Sequence, residues 1–211
     1  MDWHAWHDAY DLDGSALGRR LHVVQERIVA ALDASPPGAV RVVSVCAGQG
    51  RDLVGVLSDH PRRGDVVARL VELDPDNAEA ARRAAGALGP AHVEVVVGDA
   101  AATEYYEGMA PADLVLMCGV FGNISDADIE RTVGFCTQLC ATDGTLVWTR
   151  HRKQPDVFPK VCDWLERLGF VREWVSEPDA GFGVGVHRFA GEPVPLDVGA
   201  RMFTFVGYDV L

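Results

Sequence analysis

The chain has 211 residues, 48% of them hydrophobic and 24% charged, and a formal net charge of −12. These values suit one compact domain, and no stretch approaches the roughly 18 uncharged apolar residues that a bilayer span needs, so no membrane partner is expected. The acidity also argues against nucleic acid as a partner, because the densest basic clusters are only Arg62-Arg63 and Arg150 with Arg152-Lys153.

The opening residues MDWHAWHDAYDLDG carry acids and histidines where a secretory leader needs a basic start and an apolar run, which predicts a cytoplasmic protein. Trp3, His4, Trp6, His7 and Tyr10 crowd together here. Such aromatic faces either close as a lid over a cationic ligand or staple the segment to the core. His4 and His7 have helical spacing, but no acidic partner stands at an obvious position and no metal is assigned.

A helix is predicted over 16–32, with Ser15 as its cap and Leu17, Leu21, Val24, Ile28 and Leu32 on one face. After Pro36-Pro37-Gly38 comes a β-branched run at 40–45, the kind buried on both faces of a parallel sheet. A helix over 51–58 and a strand over 66–72 follow. Asp74 and Pro75 then read as the cap and first residue of an alanine-rich helix that runs to Leu88 and is closed by Gly89. The alternation continues as strands 92–97 and 113–118, helix 126–140, strand 145–149 and helix 156–168. Strands separated by helices imply right-handed crossovers and one mainly parallel, doubly wound α/β sheet. Runs at 170–176 and 183–189 predict an edge hairpin, and 202–206 a further extended segment. Residues 1–35 are taken as a lid segment and helix of the same domain as 36–211.

Ligands of an open α/β sheet sit beyond the carboxyl ends of its strands, so the residues that end strands carry the information. The first strand ends in CAGQGRD, where Gly48 and Gly50 let backbone approach an anion, either a phosphate or a carboxylate. A dinucleotide fingerprint needs Gly or Ala where Leu53 stands, which disfavours a nicotinamide oxidoreductase. The second strand ends in VELDP, with Glu72 near the offset at which an acid grips a ribose. The third ends at Asp99, an acceptor for an exocyclic amine, and the fourth at Cys118 and Gly119, with Phe121 and Asn123 just beyond.

Taken in order, CAGQGRD, VELDP, GDA and ADLVLMCGVFGNI resemble the first four motifs of class I S-adenosylmethionine (SAM) dependent methyltransferases, over roughly 41–149 and more loosely the terminal hairpin. The resemblance implies a Rossmann-like seven-stranded sheet of order 3-2-1-4-5-7-6 with the last strand antiparallel, and an N-terminal helix. It implies a SAM site built from Cys46, Ala47, Gly48, Gly50, Asp52, Glu72, Leu73, Asp99, Ala100, Cys118 and Gly119. Within it, Gly48 and Gly50 lie beside the methionine part, Glu72 on the ribose hydroxyls and Asp99 near the adenine amine. One position departs from the pattern: Cys46 stands where the first motif usually opens with an acid, so Asp52 or a backbone carbonyl is left to meet the SAM amino group.

The implied activity is methyl transfer to a small-molecule acceptor, leaving S-adenosylhomocysteine (SAH), by a monomer or homodimer. A SAM- or SAH-binding module without transfer is the alternative. Methyl transfer asks the protein mainly for alignment, and a base only if the acceptor must lose a proton. His151 is either that base or a surface histidine of a basic loop, and Asn123 either holds the acceptor or turns its loop. Phe121 and the N-terminal aromatics belong to the acceptor side or lid. Cys46, Cys118, Cys136, Cys140 and Cys162 form an odd set without a CxxC pair, and reduced thiols are expected.

Overall fold

Alternation along the strands sorts the apolar side chains into two layers, one on each face of a single sheet. The computed structural model describes residues 15–89 and 91–206. Within them α1 spans Ala16–Ala34, β1 Val40–Val45, α2 Leu53–Leu57, β2 Val66–Glu72, α3 Pro75–Gly86 and β3 His92–Val97. The second half contains β4 Ala112–Met117, α4 Asp126–Leu139, β5 Cys140–Arg150, α5 Phe158–Arg167, β6 Phe170–Val175 and β7 Gly183–Phe189.

The strand order is β3-β2-β1-β4-β5-β7-β6. β7 runs antiparallel to both neighbours and the other pairs are parallel. Val40 and Val42 of β1 face Ile28 and Leu32 of α1 with Leu53 and Leu57 of α2. Val43 and Val45 face Ile129 and Val133 of α4 and Val161 and Leu165 of α5. No described helix is long and apolar enough to cross a membrane. The described cysteines are all free thiols.

Expected elements form, with boundaries moved for local reasons. The helix foreseen at 51–58 shortens to α2 because Asp52 turns its carboxylate onto the Leu53 N–H (2.7 Å) and caps it there. α5 starts at Phe158, whose N–H donates to Asp156 Oδ1 (3.0 Å). β5 begins earlier than 145, because Cys140 pairs with Ala112 across a register shift, before the chain bulges past Asp143 (φ 62°).

Residues 202–206, expected as a further extended segment, join no strand of the sheet. They belong to a strap, residues 190–206, tied down mostly by isolated bonds. The Met202 N–H donates to Ala101 O (2.8 Å), Met202 O accepts from Arg131 Nε (2.9 Å), Thr103 Oγ1 donates to Asp197 O (2.6 Å), and the Val206 N–H donates to Asn123 O (2.9 Å).

Behind the strand ends, Trp148 Nε1 donates to Nδ1 of His187, a fully buried side chain whose Nε2 has no partner among the described residues. Burial, and next the Arg172 charge, push the His187 imidazole from its ordinary 6.5 down to about 4. Its folded pKa is therefore depressed, and the unfolded chain binds the extra proton first as pH falls. Stability present above about 6.5 is lost as pH drops through about 4, by on the order of 3 kcal/mol. Urea unfolding across that range should show this loss, and His187→Asn should flatten it; an unchanged pH slope would contradict the assignment.

Candidate functional site

The chain fills the sheet outward from β1 through β2 to β3, then returns to place β4 on the other side of β1. Two adjacent parallel strands whose connections leave in opposite directions open a crevice at their carboxyl ends. A cavity of about 450 Å³ lies there, a volume suited to a small-molecule site.

β1 ends in a loop that needs unusual backbone, with positive φ at Cys46 (54°), Gly48 (56°) and Gly50 (69°). The Ala47 N–H donates to Val71 O (3.0 Å), which ties the loop to β2. The Gly48 N–H donates to Glu72 Oε2 (2.6 Å), and the Asp74 N–H donates to Oε1 of the same carboxylate (2.9 Å). Glu72 therefore braces both turns that rim the cavity. Burial raises its carboxyl above the usual range, and the Asp74 and Gly48 amides oppose that rise. Its oxygens keep further acceptor positions.

Asp74 caps α3 as foreseen, its Oδ1 accepting from Asp76 (2.9 Å) and Asn77 (3.0 Å) amides, and it also lines the cavity. Asp99 Oδ1 accepts from the Ala101 N–H (3.1 Å), and Oδ2 pairs with Arg201 of the strap at 2.7 Å. On the far side the Gly119 N–H donates to Thr149 Oγ1 (2.8 Å), and Gly119 O accepts from Asn123 Nδ2 (2.6 Å). That bond orients the amide, leaving Asn123 Oδ1 a buried acceptor with no described partner. Arg150 anchors the same loop, donating to Phe121 O and lying 3.5 Å from Asp126.

The cavity brings together Cys46, Ala47, Gly48, Asp52, Glu72, Leu73, Asp99, Ala100, Cys118, Gly119 and Asn123 from the sequence expectations. Gly50 is not among its lining residues. A Cβ there would lie 2.9 Å from Leu70 Cδ2 and 3.2 Å from Val54 Cγ2, so its missing side chain serves close packing under the loop. Phe121 is likewise off the lining, buried with its ring 5.7 Å from that of Trp148. His151 also stands off it, with Nδ1 accepting from the Lys153 N–H (3.3 Å). Burial, then the neighbouring Arg150 and Lys153 charges, hold the His151 imidazole below its ordinary value. Trp3, His4, Trp6, His7 and Tyr10 lie outside the described residues.

Sequence reasoning missed much of the rim: Arg20, Leu21 and Val24 of α1, Gln49, Arg51, Asn77, Thr149, and Phe203 and Phe205 of the strap. Leu21 and Val24 carried only a core-face signal. The thiols of Cys46 and Cys118 are raised by burial, Cys46 further by the Glu72 and Asp99 charges, so both stay neutral.

No protein-family model matches the chain, and no curated protein does. Solved structures do. An O-methyltransferase family protein from Burkholderia thailandensis is 18% identical, with a TM-score of 0.64 over 85% of this chain and 58% of that one. The CurJ carbon methyltransferase is 16% identical, with a TM-score of 0.66 over 85% of this chain and 56% of the other. A TehB-like SAM-dependent methyltransferase from Corynebacterium glutamicum is 21% identical, with a TM-score of 0.57 over 75% of this chain and 85% of its own. The chain spans little more than half the length of the first two. Strand order, the antiparallel β7 and these likenesses agree: the chain has the fold of class I SAM-dependent methyltransferases.

Proposed function

We propose that the chain is a SAM-dependent methyltransferase acting on a small-molecule acceptor. The observation that carries this reading is one cavity at the β1/β4 crevice that gathers Gly48, Glu72, Asp99 and Gly119. The residues fit such a ligand. A Cβ on Gly119 would meet nothing within 4 Å, so backbone there borders open space. The carboxylates of Asp52, Glu72, Asp74 and Asp99 outnumber the Arg20 and Arg51 guanidinia on the cavity lining, which favours a ligand of net positive charge.

When bound, SAM supplies an electrophilic methyl on a sulfonium. Glu72, fixed by the Gly48 and Asp74 amides, is the group to hold ribose hydroxyls. Leu73, 65% exposed on the rim, offers an apolar face to the base, and Asp99 an acceptor for its amine. Asn123, Thr149, Phe203 and Phe205 form the wall left for the acceptor. Asn123, held by Gly119 O, keeps an amide oxygen for an N–H or O–H of that acceptor. His151 has no part in this reading.

Incubation with methyl-labelled SAM and a panel of small hydroxyl, amine and thiol compounds should yield SAH and a labelled product. SAH binding without turnover on any acceptor would leave a binding module instead, and NAD binding without SAM binding would sink the reading altogether. Asn123→Ala should lower turnover about tenfold or more while SAH affinity stays within about threefold, since the acceptor loses its direct contact whereas Gly119 loses one brace and keeps the other, from Thr149. Equal losses in both would move Asn123 out of the acceptor wall.

A further inference from the structure

The amino-acid end of SAM carries a carboxylate and an ammonium, and the cavity must meet both. Cys46 brings no charge to them, because its thiol stays neutral. The cavity does hold a cation and an anion near each other. Arg20 lines it from α1, together with Leu21 and Val24 of the same helix. α1 is locked beside the glycine loop by Gln25, whose Nε2 donates to Arg51 O at 2.9 Å. Asp52 lines the cavity at the start of α2 and is buried, with Oδ1 accepting from the Leu53 N–H.

Burial raises the Asp52 carboxyl, and the Arg20 charge counters that rise; the same charge acts on the Cys118 thiol. The field of Arg20 thus covers the start of α2 and the end of β4. Arg51, the other cation on the lining, has its Nε committed to Gln49 Oε1 (3.0 Å), and the Gln49 amide in turn to Asn77 Oδ1 (3.2 Å).

We propose that Arg20 and Asp52 form a zwitterion clamp, the guanidinium taking the α-carboxylate and the Asp52 carboxylate the α-ammonium of the SAM amino-acid end. A planar guanidinium suits a carboxylate because it donates two parallel bonds. Asp52, beyond the bond to Leu53, keeps acceptor positions for an ammonium. Asp52 then replaces the acid missing at Cys46, and α1 becomes part of the binding site as well as a core helix. The clamp rests on the SAM reading above and extends it to the polar end of the ligand.

Calorimetric titration with two probes separates the clamp from that reading: SAH, and 5′-methylthioadenosine, which keeps the adenosyl thioether and lacks the amino acid. The wild-type chain should prefer SAH. Arg20→Ala should weaken SAH about tenfold to a hundredfold and leave methylthioadenosine within about twofold, as expected for loss of a charged hydrogen-bond pair. Asp52→Asn should shift the preference the same way, and Arg20→Lys should retain an intermediate preference, which a folding defect would not produce. Equal weakening of both probes, no weakening of either, or loss of the preference in Arg51→Ala instead would overturn the clamp. A wild-type chain that binds both probes equally removes the clamp alone. One that binds neither removes the SAM reading and the clamp with it.

Discussion

Glu72→Ala is expected to reduce SAM and SAH affinity by about a hundredfold or more. Two hydroxyl bonds to a carboxylate are at stake, each on the order of 1.5 to 3 kcal/mol. A second loss follows from the structure, since the Gly48 and Asp74 amides both donate to this side chain and would be left without it. The glycine loop and the turn into α3 would then loosen together, so the apo chain should also lose on the order of 1 to 3 kcal/mol of stability. Titration calorimetry with urea unfolding reads both quantities. Unchanged affinity would remove Glu72 from the ligand's contacts, whereas lost stability alone would reduce it to a brace.

The largest expected stability effect is at Trp148. It is fully buried, its ring lies 4.5 Å from Phe158 and 5.7 Å from Phe121, and its Nε1 donates to His187. Gly185 is bare because a Cβ there would sit 2.4 Å from the indole. Trp148→Ala should cost about 3 to 5 kcal/mol, from the cavity left behind and from the acceptor stranded on His187. For a chain of this length that corresponds to a fall in Tm of roughly 10 °C, readable by far-UV circular dichroism. Thr149, the next residue, holds the Gly119 amide, so ligand affinity should fall with it. A loss under about 1 kcal/mol would show that the neighbouring rings collapse into the space.

The sheet was legible because its signals are local. Valine-rich runs at 40–45, 66–72 and 92–97 became β1, β2 and β3 with those bounds, and Gly48, Glu72 and Asp99 at their ends reached the crevice. Gly50 shows the limit of motif reading: a glycine in a binding loop was spent on packing against Leu70. Phe121 was misread in a similar way, since an aromatic beside a strand end can turn into the core as easily as toward a ligand. Arg20, Phe203 and Phe205 carried no local sign of their role. α1 is placed by its apolar face, and which polar residue then overlooks the cavity is decided by tertiary packing. The strap has no periodicity to detect, because side chains such as Thr103 and Arg131, far off in sequence, fix it.

That strap divides labour along the chain. Part of the cavity lining is framed by residues 40–100, whereas Phe203 and Phe205 arrive on a ribbon laced to α4 and to the loop after Asp99. Exchanging residues 190–206 between proteins of this fold would therefore replace the lining that Phe203 and Phe205 supply while leaving the frame from residues 40–100 in place, so the ribbon is a separable module of the chamber.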